Sequence, residues 1–171
     1  MRLFVAINFS PELKKALSGL QEELRRLAAR VNWVAPANIH LTLKFLGEVD
    51  VARVEEIGAA LREAARAVSP WQLEVRGTGV FPGWHNPRVV WVGVESGAPL
   101  YTLQQELTRK YLALGFPAAA FTPHLTLGRV RPGTAVEPLR DRLQSLAGRS
   151  WGKKWVTAVN LMESRLTPQG A

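Results

Sequence analysis

The tetrapeptide His-Leu-Thr-Leu occurs twice in this chain, at residues 40–43 and 124–127, and the segments leading to the two copies match. In each, an apolar strand-like run precedes an amphipathic helical pattern, a turn and a second strand carrying the motif. The first copy reads as strand 2–9, helix 11–29 and strand 39–46; the second as strand 88–95, helix 98–114 and strand 121–127. The two histidines lie 84 residues apart (124 − 40) in a chain of 171. Repetition at that period predicts two similar lobes, each a sheet backed by helices. No Ser/Gly-rich linker separates them, so a single unit over 1–171 is expected, with repeat cores 2–46 and 88–127 and a cleft between.

Local signals support these elements. Ser10-Pro11-Glu12 combines a capping hydroxyl, proline at the first helical position and an early acid. Leu13, Ala16, Leu17, Leu20, Leu24 and Leu27 then mark one helical face. Asp50 is placed to cap a second helix with Val51, Val54, Ile57, Leu61, Ala64, Ala65 and Val68 on its apolar side. Short strands are predicted at 31–34 and 71–77, a loop over Phe81–Pro87, a helix over 136–147 and a last strand over 154–163.

Side chains alternate faces along a strand. His40 and Thr42 therefore share a face, as do His124 and Thr126, while Leu41, Leu43, Leu125 and Leu127 face the core. Two imidazoles and two hydroxyls meeting in one cleft are equipped for phosphoester chemistry without a metal. Imidazole titrates near neutrality, so one ring accepts a proton while the other donates one. The threonine hydroxyls donate to non-bridging phosphate oxygens. A lone His-x-Thr on a strand usually means only a hydrogen-bonded histidine. A copied packing strand, however, needs its leucines and not its histidine, and two of the chain's three histidines sit in these motifs.

Composition narrows the partners. The absence of cysteine excludes disulfides, thiolate metal sites and a cysteine nucleophile. The net charge of +8 is concentrated late: residues 1–79 carry 11 Lys/Arg and 9 Asp/Glu, residues 80–171 carry 11 and 5. That bias favours a polyanion. The apolar opening Met1–Ile7 is short for a signal peptide, and no apolar run approaches a membrane span. A cytoplasmic protein, with no membrane partner and acting as a monomer, is expected. No Gly-rich phosphate loop or other cofactor motif is present, so no cofactor is expected.

The motifs and their flanks resemble the two-histidine (2H) phosphoesterases, with closest similarity to the RNA 2′,3′-cyclic phosphodiesterase branch, historically called 2′-5′ RNA ligases. The resemblance runs through Arg2-Leu3-Phe4-Val5-Ala6-Ile7, Trp33-Val34, the stretch Asn38–Val49, Phe81-Pro82, the stretch Arg88–Val94, Pro123–Arg129 and Ser164-Arg165-Leu166. It implies an α+β bilobal fold of two pseudo-symmetric lobes, each with an antiparallel sheet backed by helices, around a basic active-site cleft. It also implies metal-independent hydrolysis of RNA 2′,3′-cyclic phosphate ends to 2′-phosphates, together with reversible 2′-5′ ligation, in which a 5′-hydroxyl takes the place of water. By the same analogy His40 is the general acid and His124 the base. An RNA-binding module without catalysis, and a phosphodiesterase acting on a small cyclic nucleotide, stand as alternatives.

Further binding residues are expected around the pair. Arg129 matches an arginine of the family motif and is suited to a phosphate, with Arg131 as an assistant. Lys44 falls on the His40 face if the strand stays regular. Phe45 then points to the core, whereas the resemblance implies that it stacks on a base; a bulge would reconcile the two. Trp33, Trp84 and Trp91 read as core or loop anchors and His85 as a surface residue. The basic stretch 129–154 reads either as an RNA track or as a solvated face.

Overall fold

A computed structural model describes residues 1–27 and 30–168. Twelve regular elements follow in chain order: β1 (Arg2–Ile7), α1 (Pro11–Arg25), β2 (Val31–Trp33), β3 (Leu41–Glu48), α2 (Val54–Ala65), β4 (Trp71–Phe81), β5 (Val89–Glu95), α3 (Ala98–Ala113), β6 (His124–Val130), α4 (Glu137–Ser145), β7 (Ser150–Val156) and β8 (Asn160–Ser164). They form two antiparallel sheets, one ordered β3-β1-β8 and the other β2-β6-β5-β4-β7. The architecture is the expected α+β bilobal one. The two motif strands, β3 and β6, come alongside each other where the sheets meet.

The helix starts follow local chemistry. Ser10 Oγ accepts a hydrogen bond from the Leu13 amide at 3.2 Å, with Pro11 opening α1. Asp50 accepts from the Ala52 amide at 2.8 Å and caps a 3₁₀ turn, Val51–Arg53, that leads into α2. Strand β6 opens at His124 rather than at 121, because Pro123 has no amide hydrogen to give a ladder. The predicted strand 154–163 is in fact two strands in different sheets: β7 pairs with β4, and the chain then crosses to the other lobe, where β8 pairs with β1.

Two helices, α1 and α3, pack away from the sheet that their preceding strand joins. α1 follows β1 yet covers the five-stranded sheet, where a Cβ at Gly152 of β7 would lie 3.7 Å from Leu13. Its neighbour there is α4, tied to it by the Arg142–Glu23 ion pair. Conversely, α3 follows β5 and lies against β3, with α2 beside it. The Tyr111 hydroxyl on α3 donates to the Ile57 carbonyl on α2 at 3.3 Å. The buried face of α1 is Leu13, Leu17, Leu20, Gln21 and Leu24; Ala16 and Leu27 of the predicted face are exposed. Gln21 is buried because its amide bridges the Val34 carbonyl (2.7 Å) and the Leu127 carbonyl (2.9 Å), satisfying backbone groups where β2 meets β6.

Candidate active site

Both motif strands bulge at the same place. Ala6 pairs with Thr42 and Val5 with Lys44, leaving Leu43 as the extra residue of β3. Trp91 pairs with Thr126 and Val90 with Gly128, leaving Leu127 as the extra residue of β6. A bulge resets the alternation of faces. Burial follows it residue for residue in the two copies: His half-buried, Leu buried, Thr half-buried, Leu and the next residue both buried, then an exposed side chain. The exposed side chain is Phe45 in one copy and Arg129 in the other. One motif thus presents an aromatic ring beside its His-Thr pair, and the other a guanidinium.

This register corrects the expectation for Lys44. Regular alternation puts it beside His40, but the bulge turns it to the opposite face, where it is 6% exposed. Its ammonium there donates to the Pro117 carbonyl in the connection after α3, and burial lowers its pKa. Phe45 takes the cleft side instead and is 70% exposed. In the second copy the position equivalent to Lys44 is Gly128, where a Cβ would come within 2.7 Å of Val31 and 2.9 Å of the Trp33 ring. Only a residue without a side chain lets β2 pack there.

The two histidines have different surroundings. His40 stacks on Phe4, ring centroids 4.8 Å apart and planes 25° apart, and Phe4 in turn contacts Phe45 at 6.1 Å. Burial, and secondarily the charge of Lys14, hold the His40 pKa below the ordinary imidazole range. Lys14 sits in the first turn of α1 and donates to the Ala37 carbonyl at 3.0 Å. His124 meets Phe81 edge-on, centroids 4.9 Å apart. Its Nδ1 lies 2.7 Å from the Thr122 carbonyl oxygen. A carbonyl can only accept, so Nδ1 carries the proton and Nε2 is the free nitrogen.

The remaining expectations divide. Arg129 is exposed on the histidine face, and no carboxylate among the described residues pairs with it. Arg131 is occupied, its Nε donating to Asn32 Oδ1 at 3.0 Å. Trp33 and Trp84 pack against the core. Trp91 lies beside Thr126 in register, over Gly79, and its buried indole N–H has no partner among the described residues. His85 is exposed at a pocket of about 320 Å³ shared with Arg88, Arg131 and Glu137, which contains none of the motif residues. In the stretch 129–154, Arg142 pairs with Glu23 and Arg140 approaches Asp141 at 3.7 Å, so part of that charge serves packing and surface pairing. Among the described residues, no three His, Cys, Asp or Glu side chains group as metal ligands, and no helix is long and apolar enough to cross a membrane.

Two rings and two hydroxyls on matched bulged strands, flanked by an exposed arginine and an exposed aromatic, are the groups expected of a phosphoesterase of the two-histidine class. The model of the family described as LigT like Phosphoesterase matches residues 7–91 and again 92–171, and the chain belongs to that family. It is 35% identical over 99% of its length to an RNA 2′,3′-cyclic phosphodiesterase of Methanothermobacter thermautotrophicus, covering 93% of that protein. A crystal structure of a Thermus thermophilus protein superposes with a TM-score of 0.79 at 29% identity, over 99% of this chain and 92% of that one. Escherichia coli LigT complexed with 3′-AMP superposes at 0.72 with 25% identity, over 96% and 90%.

Proposed function

We propose that this protein hydrolyses RNA 2′,3′-cyclic phosphate ends to 2′-phosphates through His40 and His124, without a metal. The matched bulges carry this reading: they bring Phe45 and Arg129 to the same side of their strands as the His-Thr pairs before them, on strands that meet between the lobes. The name of the Methanothermobacter relative and the 3′-AMP held by E. coli LigT support the choice of substrate.

In this mechanism the terminal base stacks on Phe45 and the cyclic phosphate lies between the rings. Thr42 and Thr126 donate to its non-bridging oxygens and Arg129 neutralises its charge. His124, its Nδ1–H held by Thr122, takes a proton from water at Nε2. The water oxygen attacks phosphorus in line with the 3′ oxygen. The P–O3′ bond breaks, and His40 gives its proton to that oxygen, leaving the phosphate on O2′. One chain supplies every group, so a monomer suffices; a cytoplasmic location with RNA as partner belongs to the same proposal, as does the reading of the chain as one bilobal unit built by duplication.

An oligonucleotide ending in a 2′,3′-cyclic phosphate, incubated with the protein in EDTA, is expected to yield only the 2′-phosphate. No turnover removes the enzymatic reading, and a 3′-phosphate product removes the choice of leaving oxygen.

The proton inventory gives a second expected result. An acid must be protonated, and burial with the charge of Lys14 holds the His40 pKa below the ordinary imidazole range. Lys14→Gln removes a charge that opposes protonation, so the His40 titration followed by NMR moves to higher pH and kcat/KM at alkaline pH rises, because a larger share of the protein then carries the acid's proton. A titration that moves without that rise assigns the acid to another group.

A further inference from the structure

The internal match extends past the motifs to the first turns of α1 and α3. Lys14 follows Leu13, the first buried leucine of α1; Tyr101 follows Leu100, the first buried leucine of α3. Lys14 reaches the backbone of Ala37, three residues before His40. Tyr101 meets Phe121, three residues before His124, edge-on with centroids 6.2 Å apart. Two equivalent positions therefore accompany each motif, the residue after the bulge and the helix residue that meets the segment before the histidine, and their chemistry is exchanged. The His40 copy has an aromatic after the bulge and a cation on the helix; the His124 copy has a cation after the bulge and an aromatic on the helix. Tyr101 is 48% exposed, and with Phe45 it is one of few large exposed rings among the described residues.

We infer that Tyr101, backed by Phe121, is a second nucleoside platform, on the nucleophile side of the phosphate. This inference rests on the two-histidine reading. In-line displacement puts the attacking and leaving oxygens on opposite sides of phosphorus. The terminal ribose and its base lie with His40 and Phe45, so the side of His124 receives the nucleophile. A ring there stacks the base of an incoming nucleoside and brings its 5′-hydroxyl to the place of water. The 5′ oxygen then bonds to phosphorus, its proton passes to His124, the P–O3′ bond breaks and O3′ takes the proton of His40. The product is a 2′-5′ diester, and no other reactant is consumed. Tyr101 thus sets how well a nucleoside competes with water and with simpler alcohols.

The test uses the full chain, a cyclic-phosphate oligonucleotide, and adenosine or glycerol as acceptor at equal concentration. The parent protein is expected to join adenosine in preference to glycerol. Tyr101→Ala should lower the ratio of adenosine joining to hydrolysis about tenfold, as expected for loss of one stacked base, and leave the glycerol ratio unchanged. Tyr101→Phe, which keeps the ring, should retain the adenosine ratio. Hydrolysis without any adenosine product, an adenosine ratio unchanged in Tyr101→Ala, or equal falls for both acceptors overturns the platform while leaving the hydrolase reading intact. Absence of hydrolysis in the parent removes both.

Discussion

Replacing His40 or His124 by alanine is expected to lower the rate of cyclic phosphate hydrolysis about 10²–10⁴-fold for each ring, the usual worth of a positioned acid or base. The two losses should differ in kind. Without His40 the 3′ oxygen must leave as an alkoxide, so a phosphodiester with a phenolate leaving group should restore much of the lost rate. Without His124 the water remains unactivated, and the same substrate restores little. Binding of a 2′-phosphate oligonucleotide, read by fluorescence anisotropy, should change little in either variant, because Phe45 and Arg129 remain. A fully active His124→Ala protein ends the two-histidine mechanism. Rescue of His124→Ala but not His40→Ala reverses the acid and base.

Arg129→Met is expected to lower kcat/KM about 10- to 100-fold, in line with charge-assisted hydrogen bonds worth about 1.5–3 kcal/mol. The guanidinium is exposed, and no carboxylate among the described residues competes for it, so its loss removes a substrate contact and breaks no internal ion pair. The folded stability of Arg129→Met, measured by urea unfolding, should therefore match that of the parent within about 0.5 kcal/mol. Arg129→Lys keeps the charge but not the two-pronged donor geometry and should recover only part of the rate. Unchanged kinetics in Arg129→Met would place the phosphate elsewhere.

Much of this site was legible in the chain because its signals are local. A duplicated tetrapeptide needs no tertiary information to be seen, and period-two alternation assigned the threonines and leucines of both copies to their faces. The helix starts at Ser10-Pro11 and Asp50 were legible for the same reason: a cap is a bond between near neighbours. Lys44 was not, and Phe45 was legible only through the resemblance. Strict alternation exchanges their faces, and nothing in Leu43 or Leu127 marks it as a bulge, since a bulge is a property of the pairing with β1 or β5. Lys14 and Gln21 escaped because their partners are remote. Gln21 looks like any polar helix residue until the Leu127 carbonyl, 106 positions away, is placed beside it.

By itself, the His-Leu-Thr-Leu sequence determined the chemical class of this protein: which side chains stand together on a strand, and that there are two such sets in one chain. The tertiary structure decided how the two sets differ. Paired at the same bulge, one strand offers a phenyl ring and the other a guanidinium, while helices packed across the opposite sheets bring a lysine to the segment before one histidine and a tyrosine to the segment before the other. Covalent order fixes alternation within a strand, but only the ladder fixes where that alternation slips and which remote helix closes over it.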